Sequence, residues 1–364
     1  MSTLRVEALE QPDGTAFVFN NKNLLINGGM NVWQRSTSKS ITATGYQTAD
    51  RYEYSLNGSG VYTQSRSTDV PSGQGFGYSM KMDVTTANAS PSASNYSMFM
   101  QKMEGQNLQH LLKGSSSAKS LTLSFWVKSN KTGTYIARFS DEDNSRTISK
   151  SYTVDTANTW EKKELVFDGD QTGALDNDNA ESLTVQWWLS AGSTYTSGTL
   201  ATSWESTTNA NIAVGQVNLL DSTSNEWYIT GIQLEVGSTA SGFEFEPYEA
   251  TLRKCLRYFY QLGGTSIYER IGAGVCRTST RVFITTDHPA PMRAVPTLGL
   301  SAASDFSIDG SGGTTCSAIS LTHTSTIKLG LDITLGSSGD SAGSGAQMVT
   351  ANTLNAQLRV KAEL

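Results

Sequence analysis

The stretch Leu121-Thr-Leu-Ser-Phe-Trp-Val-Lys128 places Leu121, Leu123, Phe125 and Val127 on one side of an extended chain. Thr122, Ser124, Trp126 and Lys128 fall on the other. Strict alternation of this kind is the mark of a strand with one face on a core. The same period recurs at Leu183, Val185, Trp187 and Leu189, at Tyr78, Met80, Met82 and Val84, and at Ile232, Leu234 and Val236. Turn-forming runs such as Asn57-Gly58-Ser59-Gly60 and Asp168-Gly169-Asp170 separate these segments. No long helical period interrupts them, which excludes repeated strand–helix–strand units and favours an antiparallel sandwich of jelly-roll type.

Composition agrees with a β protein. Of 364 residues only 16% are charged, and Ser plus Thr number 90. Seven Trp, fourteen Tyr and a net charge of −6 exclude a disordered chain. No apolar run approaches the ~18 residues of a membrane span, so no membrane insertion is expected. The charge has the wrong sign for phosphate binding and no Lys/Arg stripe appears, which argues against a nucleic-acid partner. Cys255, Cys276 and Cys316 are odd in number and widely spaced, so they read as buried free thiols, neither a disulfide set nor a zinc site. Met1–Glu10 carries acids and lacks an apolar core, so no secretion signal is read there and cytoplasmic synthesis is expected.

The expected organisation is all-β. Residues 1–22 form an N-terminal leader, 23–248 a jelly-roll β-sandwich, 249–264 a short amphipathic helix and linker, and 265–364 a C-terminal β-sandwich domain. The leader holds Leu4, Val6, Leu9, Phe17 and Phe19, too few for a core of its own, so a partner is expected to bury them. Between Glu249 and Leu262 the residues Leu252, Cys255, Phe259 and Leu262 recur at intervals of 3, 4 and 3, ending at Gly263. That spacing predicts a helix of about three turns whose apolar stripe is either packed on its own sandwich or serves as an oligomer seam. The final run alternates Leu354, Ala356, Leu358, Val360, Ala362 and Leu364 with Asn355, Gln357, Arg359, Lys361 and Glu363, and predicts a last strand.

Motifs for catalysis are missing. His110, His288 and His323 are far apart, and no phosphate loop, nucleophile elbow or zinc signature occurs. The acidic runs at Asp141-Glu142-Asp143 and Asp176-Asn177-Asp178 fail as calcium loops. Their sixth positions are Arg146 and Glu181, and their twelfth are Tyr152 and Trp187. No metal and no cofactor is expected. Aromatic rings carry the stronger signal, because flat rings stack on sugar faces while amides and hydroxyls meet sugar hydroxyls. Trp187-Trp188 sets one indole on each face of its strand, and Tyr52 and Tyr54 share a face. These four are the candidate glycan-stacking residues.

Taken together, several motifs resemble tail-fibre-like proteins of bacteriophages, especially those of marine phages. Asn23-Leu-Leu-Ile-Asn-Gly-Gly-Met-Asn-Val-Trp-Gln-Arg35 and Tyr46-Gln-Thr-Ala-Asp-Arg51 look like their first-domain signature. So do Leu121–Lys128 and Trp227-Tyr-Ile-Thr-Gly-Ile-Gln-Leu-Glu-Val-Gly237. Phe245-Glu-Pro-Tyr248 leading into Leu252–Tyr260 is similar to the exit helix of that domain, and the likeness covers residues 23–262. His288–Thr297 looks like a recurrent element of their C-terminal domains. The first domain also resembles carbohydrate-binding jelly rolls in which an Asn-Gly-Asp strand helps to hold calcium; here Gly29 stands in the place of that Asp.

The resemblance implies a non-enzymatic virion protein, assembled in the host cytoplasm as a homotrimer around the Leu252, Cys255, Phe259 and Leu262 seam. Its leader would attach to other tail proteins, and its distal end would meet a host-surface glycan or protein. The loops Gly310–Thr314 and Ser337–Gly345 would display the binding residues. A purely structural role, as head fibre, decoration or baseplate protein, is the alternative. A glycan-cleaving enzyme, which needs two carboxylates ~5–9 Å apart, stands third.

Overall fold

The structure is a computed structural model, and it describes residues 22–58, 60–309 and 313–364. The alternating segments are strands of two antiparallel sheets packed face to face. One sheet runs β1 (Ser38–Ile41), β3 (Val61–Ser67), β4 (Ser79–Thr86), β12 (Glu226–Val236), β6 (Leu121–Ser129) and β9 (Glu161–Phe167). The other runs β11 (Glu205–Ser206), β8 (Arg146–Val154), β7 (Gly133–Asp141), β10 (Glu181–Ala191), β5 (Tyr96–Glu104) and β2 (Glu53–Asn57). The chain changes sheets repeatedly, as in a jelly roll.

The facing sides carry the alternating apolar residues predicted for them. Leu123, Phe125 and Val127 meet Phe99, Phe139, Val185 and Trp187, all without solvent exposure. Rings knit the layer, with Phe99 at 5.9 Å from Trp187 and 6.1 Å from Trp227, and Phe125 at 5.8 Å from Trp187. Each such side chain contributes about 1.5–3 kcal/mol by leaving water. A bulge between Thr230 and Gln233 bends β12 under Phe76. Gly231 occupies it at φ 62°, and a Cβ there would lie 2.5 Å from the Phe76 ring.

The Asn23–Arg35 signature forms no strand. It is a hydrogen-bonded plug across one end of the sandwich. Asn27 donates to the carbonyls of Val32 (2.9 Å) and Asp50 (3.1 Å) and accepts from the amides of Asn31 and Val32. Gly28 takes the amide of Ile232, and a Cβ at Gly28 would collide with the Ile232 carbonyl.

The predicted helix is shorter than expected. Helix α2 covers Tyr248–Leu256, and Phe259–Leu262 is already strand β13. The 3-4-3 spacing fits a helix, but pairing with the C-terminal strand β21 (Leu358–Lys361) wins, because backbone bonds from Phe259 to Leu262 satisfy both chains. The trimer seam is corrected accordingly. Cys255 and Phe259 have no exposed surface within a single chain, and Leu252 and Leu262 are half-buried. An element already buried by its own chain offers no stripe to a partner.

Strand β21 lies between β13 and β16 (Thr297–Leu300). Beside this small sheet, β14 (Arg270–Thr278), β15 (Arg281–Asp287), β19 (Lys328–Leu335), β18 (Thr314–Leu321), β17 (Phe306–Asp309) and β20 (Gly345–Thr350) close into a barrel. Its interior holds Val282, Ile284, Phe306, Leu331, Ile333 and Met348. The β class is thus met in the C-terminal unit by closure, which leaves no free edge in the barrel. Alternation along the last run is realised in its middle. Ala356, Leu358, Val360 and Ala362 are buried, whereas Leu354 is 60% exposed.

The three cysteines are free and buried. His288 bridges the Tyr260 hydroxyl (2.7 Å) and the Ser325 carbonyl (3.0 Å), a structural position at the foot of the barrel. The leader residues Leu4, Val6, Leu9, Phe17 and Phe19 lie outside the described residues.

Candidate functional site

Strands β5, β7 and β10 lie side by side, and their period-2 geometry divides their residues between two faces. Phe99, Phe139 and Trp187 point into the sandwich. Met98, Arg138 and Trp188 belong to the opposite face, with Trp188 paired to Met98 and Gln186 to Arg138 across the sheet. Residues 192–213, including α1 (Ser193–Thr196), return across that outer face. They are held by bonds from the Ser149 amide to the Ala201 carbonyl (2.7 Å), from Ser149 Oγ to the Ile212 carbonyl (2.8 Å) and from the Ala213 amide to the Tyr195 carbonyl (2.9 Å).

Between sheet and loop a groove of about 350 Å³ remains. Trp188, Met98 and Arg138 line it beside Tyr96, Tyr195 and Ile212, and Asp141 and Glu142 belong to its edge. The three rings form one cluster. Tyr96 and Tyr195 meet edge to face at 5.6 Å, Trp188 and Tyr195 lie 5.4 Å apart, and Tyr96 and Trp188 lie 6.1 Å apart. Tyr96 and Tyr195 are half-buried, so part of each ring stays open to solvent.

The polar groups of the groove are short of partners. Arg138 is 6% exposed and forms no ion pair among the described residues. Its Nε donates to Thr147 Oγ1 (2.7 Å) and Nη1 to Gln186 Oε1 (2.9 Å), which leaves Nη2 without a partner among the described residues. Burial outweighs the nearby Glu142 charge and pushes the guanidinium down to about 10, so it remains charged at neutral pH. The buried indole N–H of Trp188 has no hydrogen-bond partner either. A buried unpaired cation beside an unsatisfied donor costs folding free energy.

Of the two carboxylates at the edge, Asp141 is engaged, and its ion-pair network runs on to Asp170 outside the groove. Asp141 pairs with Lys113 and accepts from Asn144, and Asp170 is bound by Lys113 (3.0 Å) and Arg146 (2.6 Å). Asp141 is therefore a buried ion-pair member. Among the described residues no group of three or more His, Cys, Asp or Glu is placed to hold a metal ion.

The four sequence candidates need correction as freely exposed stacking rings. Tyr52, Tyr54 and Trp187 are core residues at 3%, 1% and 0% exposure, with Tyr52 stacked on Phe99 at 4.7 Å. Trp188 does face away from the core, but the 192–213 loop covers it and leaves only 1% exposed. The half-open rings are Tyr96 and Tyr195, which alternation did not single out. Tyr195 sits in Gly192-Ser-Thr-Tyr-Thr-Ser-Gly198, where no period marks a face. Arg138 had a legible signal, as the one charge within the Tyr135–Phe139 run of its strand.

No protein-family model and no curated protein sequence matches the chain. Solved structures similar to it include the enzymatically active domain of tailspike protein 4 from bacteriophage CBA120, at 15% identity and TM-score 0.31. That match covers 59% of this chain and 21% of that one, so the likeness spans about a fifth of the phage domain. A CBM4 structure is similar at 11% identity and TM-score 0.29, covering 58% of this chain and 97% of that one. TmCBM61 in complex with β-1,4-galactotriose is similar at 10% identity and TM-score 0.29, covering 59% and 99%.

Proposed function

We propose that this chain is a non-enzymatic virion protein of tail-fibre type that recognises a host-surface glycan in the outer-face groove of its sandwich. One observation carries the reading: half-open tyrosine rings stand beside the Arg138 guanidinium, whose Nη2 has no partner among the described residues. Sugars present apolar ring faces for the former and hydroxyl acceptors for the latter. No catalytic step belongs to this reading, because glycoside cleavage needs two available carboxylates and Asp141, one of the two in the groove, is paired with Lys113. The leader, residues 1–22, is assigned to attachment on the particle by its apolar residues, which suit burial by another tail protein. A homotrimer, proposed from the phage resemblance, has to form through surfaces other than the Leu252–Leu262 run. Three weak sites on one particle would then act together.

A screen of host-surface oligosaccharides against the full chain tests the glycan reading. Tyr195→Ala is expected to weaken a bound oligosaccharide about tenfold, in line with the ~1–1.5 kcal/mol of an aromatic contact. Equal affinity in the variant, or no oligosaccharide bound by the wild type, sinks the reading. Gold-labelled antibody on intact virions checks the location, and label on the head instead of the tail favours the purely structural alternative.

A further inference from the structure

A second groove of about 430 Å³ lies where the sandwich meets the C-terminal unit, and its lining is cationic: Arg35, Lys39, Arg359 and Lys361, with Tyr46 and Gln357. Strand β21 sets this charge. Leu358 and Val360 are buried in the core, so alternation turns Gln357, Arg359 and Lys361 to the other face.

The charges here do not balance. Arg35 and Arg51 are met by Asp50 and Glu363, one carboxylate for each guanidinium. Lys39, Arg359 and Lys361 form no ion pair among the described residues. Arg359 reaches only amide oxygens, those of Gln261 (3.4 Å) and Gln357. Burial, then the Arg359 and Arg35 charges, hold the Lys361 ammonium below its ordinary value, which is the mark of cations crowded without a counter-charge. Gly299 lies directly across the sheet from Arg359, and a Cβ there would come 3.0 Å from Lys361 Nζ. A bare backbone at this point leaves the ammonium room beside the guanidinium.

Three neighbouring cations in a chain of net charge −6 repel one another, and a bound anion would relieve that repulsion. We propose that this groove takes the oxyanion of an acidic saccharide, a uronate carboxylate or a sulfate ester. Arg359 presents the planar fork that grips two oxygens, and Lys361 and Lys39 close on the same charge. Ser36, Gln47 and Gln357 beside them supply hydroxyl and amide groups for neighbouring sugar hydroxyls. The inference rests on the glycan reading above only for the class of ligand, a saccharide, and adds a second site specific for acidic ones. It uses a separate place, because the two grooves share no lining residue.

Calorimetric titration of the full chain decides it. The probes are an oligogalacturonate, a sulfated galactan oligomer, a neutral galactan oligomer and a short DNA duplex. At least one acidic oligomer is expected to bind, and its affinity to fall tenfold or more in the Arg359→Ala/Lys361→Ala double variant. Lys39→Glu, at an exposed position, should weaken it too. The acidic oligomer that binds tells carboxylate from sulfate. Failure of both acidic oligomers to bind overturns the proposal, as does equal affinity in the double variant with an unchanged melting temperature. DNA bound as tightly as the saccharides also overturns it. Acidic binding lost in Tyr195→Ala but kept in the double variant overturns this inference and leaves the aromatic groove as the glycan site. The reverse pattern supports it whether or not the aromatic groove holds a sugar.

Discussion

Arg51 and Glu363 are 312 positions apart in sequence and form an ion pair in which the arginine side chain is 1% exposed. The guanidinium lies 3.5 Å from the centre of the Tyr258 ring and donates to the Lys102 carbonyl at 2.8 Å. Glu363 also takes Arg35 at 2.7 Å, and Arg35 stacks on Phe259 at 3.7 Å. The signature residues near the N-terminus thus clamp the C-terminal run and the α2–β13 corner together. Breaking such a buried pair from one side costs about 3–5 kcal/mol, because the remaining charge stays buried and alone. Glu363→Ala is therefore expected to lower the unfolding free energy by that amount, read by denaturant titration. A loss under 1 kcal/mol would show that water reaches Arg51.

Acidification separates two buried carboxylates of the same junction. Burial, outweighing the Arg35 and Gln34 contacts, pushes Asp50 up to about 6 from an unfolded value of 3.8. Between those limits the folded state holds a proton that the unfolded state does not, so this group adds stability as pH falls. Glu104 acts in the other direction. Burial draws it upward, but hydrogen bonds from Arg257 and Tyr258 win and hold it below its ordinary 4.5, so its contribution is present above that pH and lost below. Asp50→Asn removes only the first term. The unfolding free energy of wild type relative to Asp50→Asn should rise by on the order of 2 kcal/mol from pH 7 to pH 4. A flat difference would mean that Asp50 titrates as in the unfolded chain, and a falling one that Arg35 holds it below that value.

The Trp187-Trp188 pair shows how far the sequence could be read. Period 2 correctly set the two indoles on opposite faces. It also marked the Leu121–Lys128 and Leu183–Leu189 cores, because local sterics alone decide where successive side chains point. It could not show that residues 192–213 fold back over Trp188, since that cover depends on contacts made far along the chain by a segment without periodicity. The helix reading of Glu249–Leu262 holds as far as Leu256 and stops there for a related reason. Its 3-4-3 spacing is real, but Phe259–Leu262 finds a β partner about a hundred residues downstream, and long-range pairing overrides local pattern. The polar face of β21, by contrast, was legible from alternation alone, and it supplies Gln357, Arg359 and Lys361 to the cationic groove.

Arg138→Leu tests whether the outer groove is kept at the expense of stability. The substitution removes a buried cation that has no carboxylate partner and replaces it with an apolar side chain. Hydrogen bonds to Thr147 and Gln186 are lost in exchange. The two effects oppose each other, so stability should change by no more than about 1 kcal/mol. Affinity for the oligosaccharide found in the screen should fall tenfold or more. A large loss of stability with unchanged affinity would make Arg138 a structural residue.

Removal of residues 265–364 would seem a natural way to map host adsorption to one unit, but the junction predicts a different outcome. Without that segment β13 loses β21, its hydrogen-bonding partner from Phe259 to Leu262. Arg51 and Arg35 lose Glu363, and Arg35 keeps only Asp50. Phe259, unexposed in the whole chain, is bared along with Tyr260. Two unpaired guanidinium contacts and two uncovered aromatic side chains remove several kcal/mol, a large part of the stability of a typical domain. The truncated chain is therefore expected to melt well below the full chain and to associate through its exposed β13 edge. Phe259→Asp in the full chain should do the same on a smaller scale, lowering the melting temperature without changing oligomeric state below the melt. Light scattering beside thermal denaturation separates the outcomes. If Phe259→Asp dissociates an oligomer at unchanged melting temperature, the residue lies at a seam between chains after all, and its burial by β21 is not what holds it.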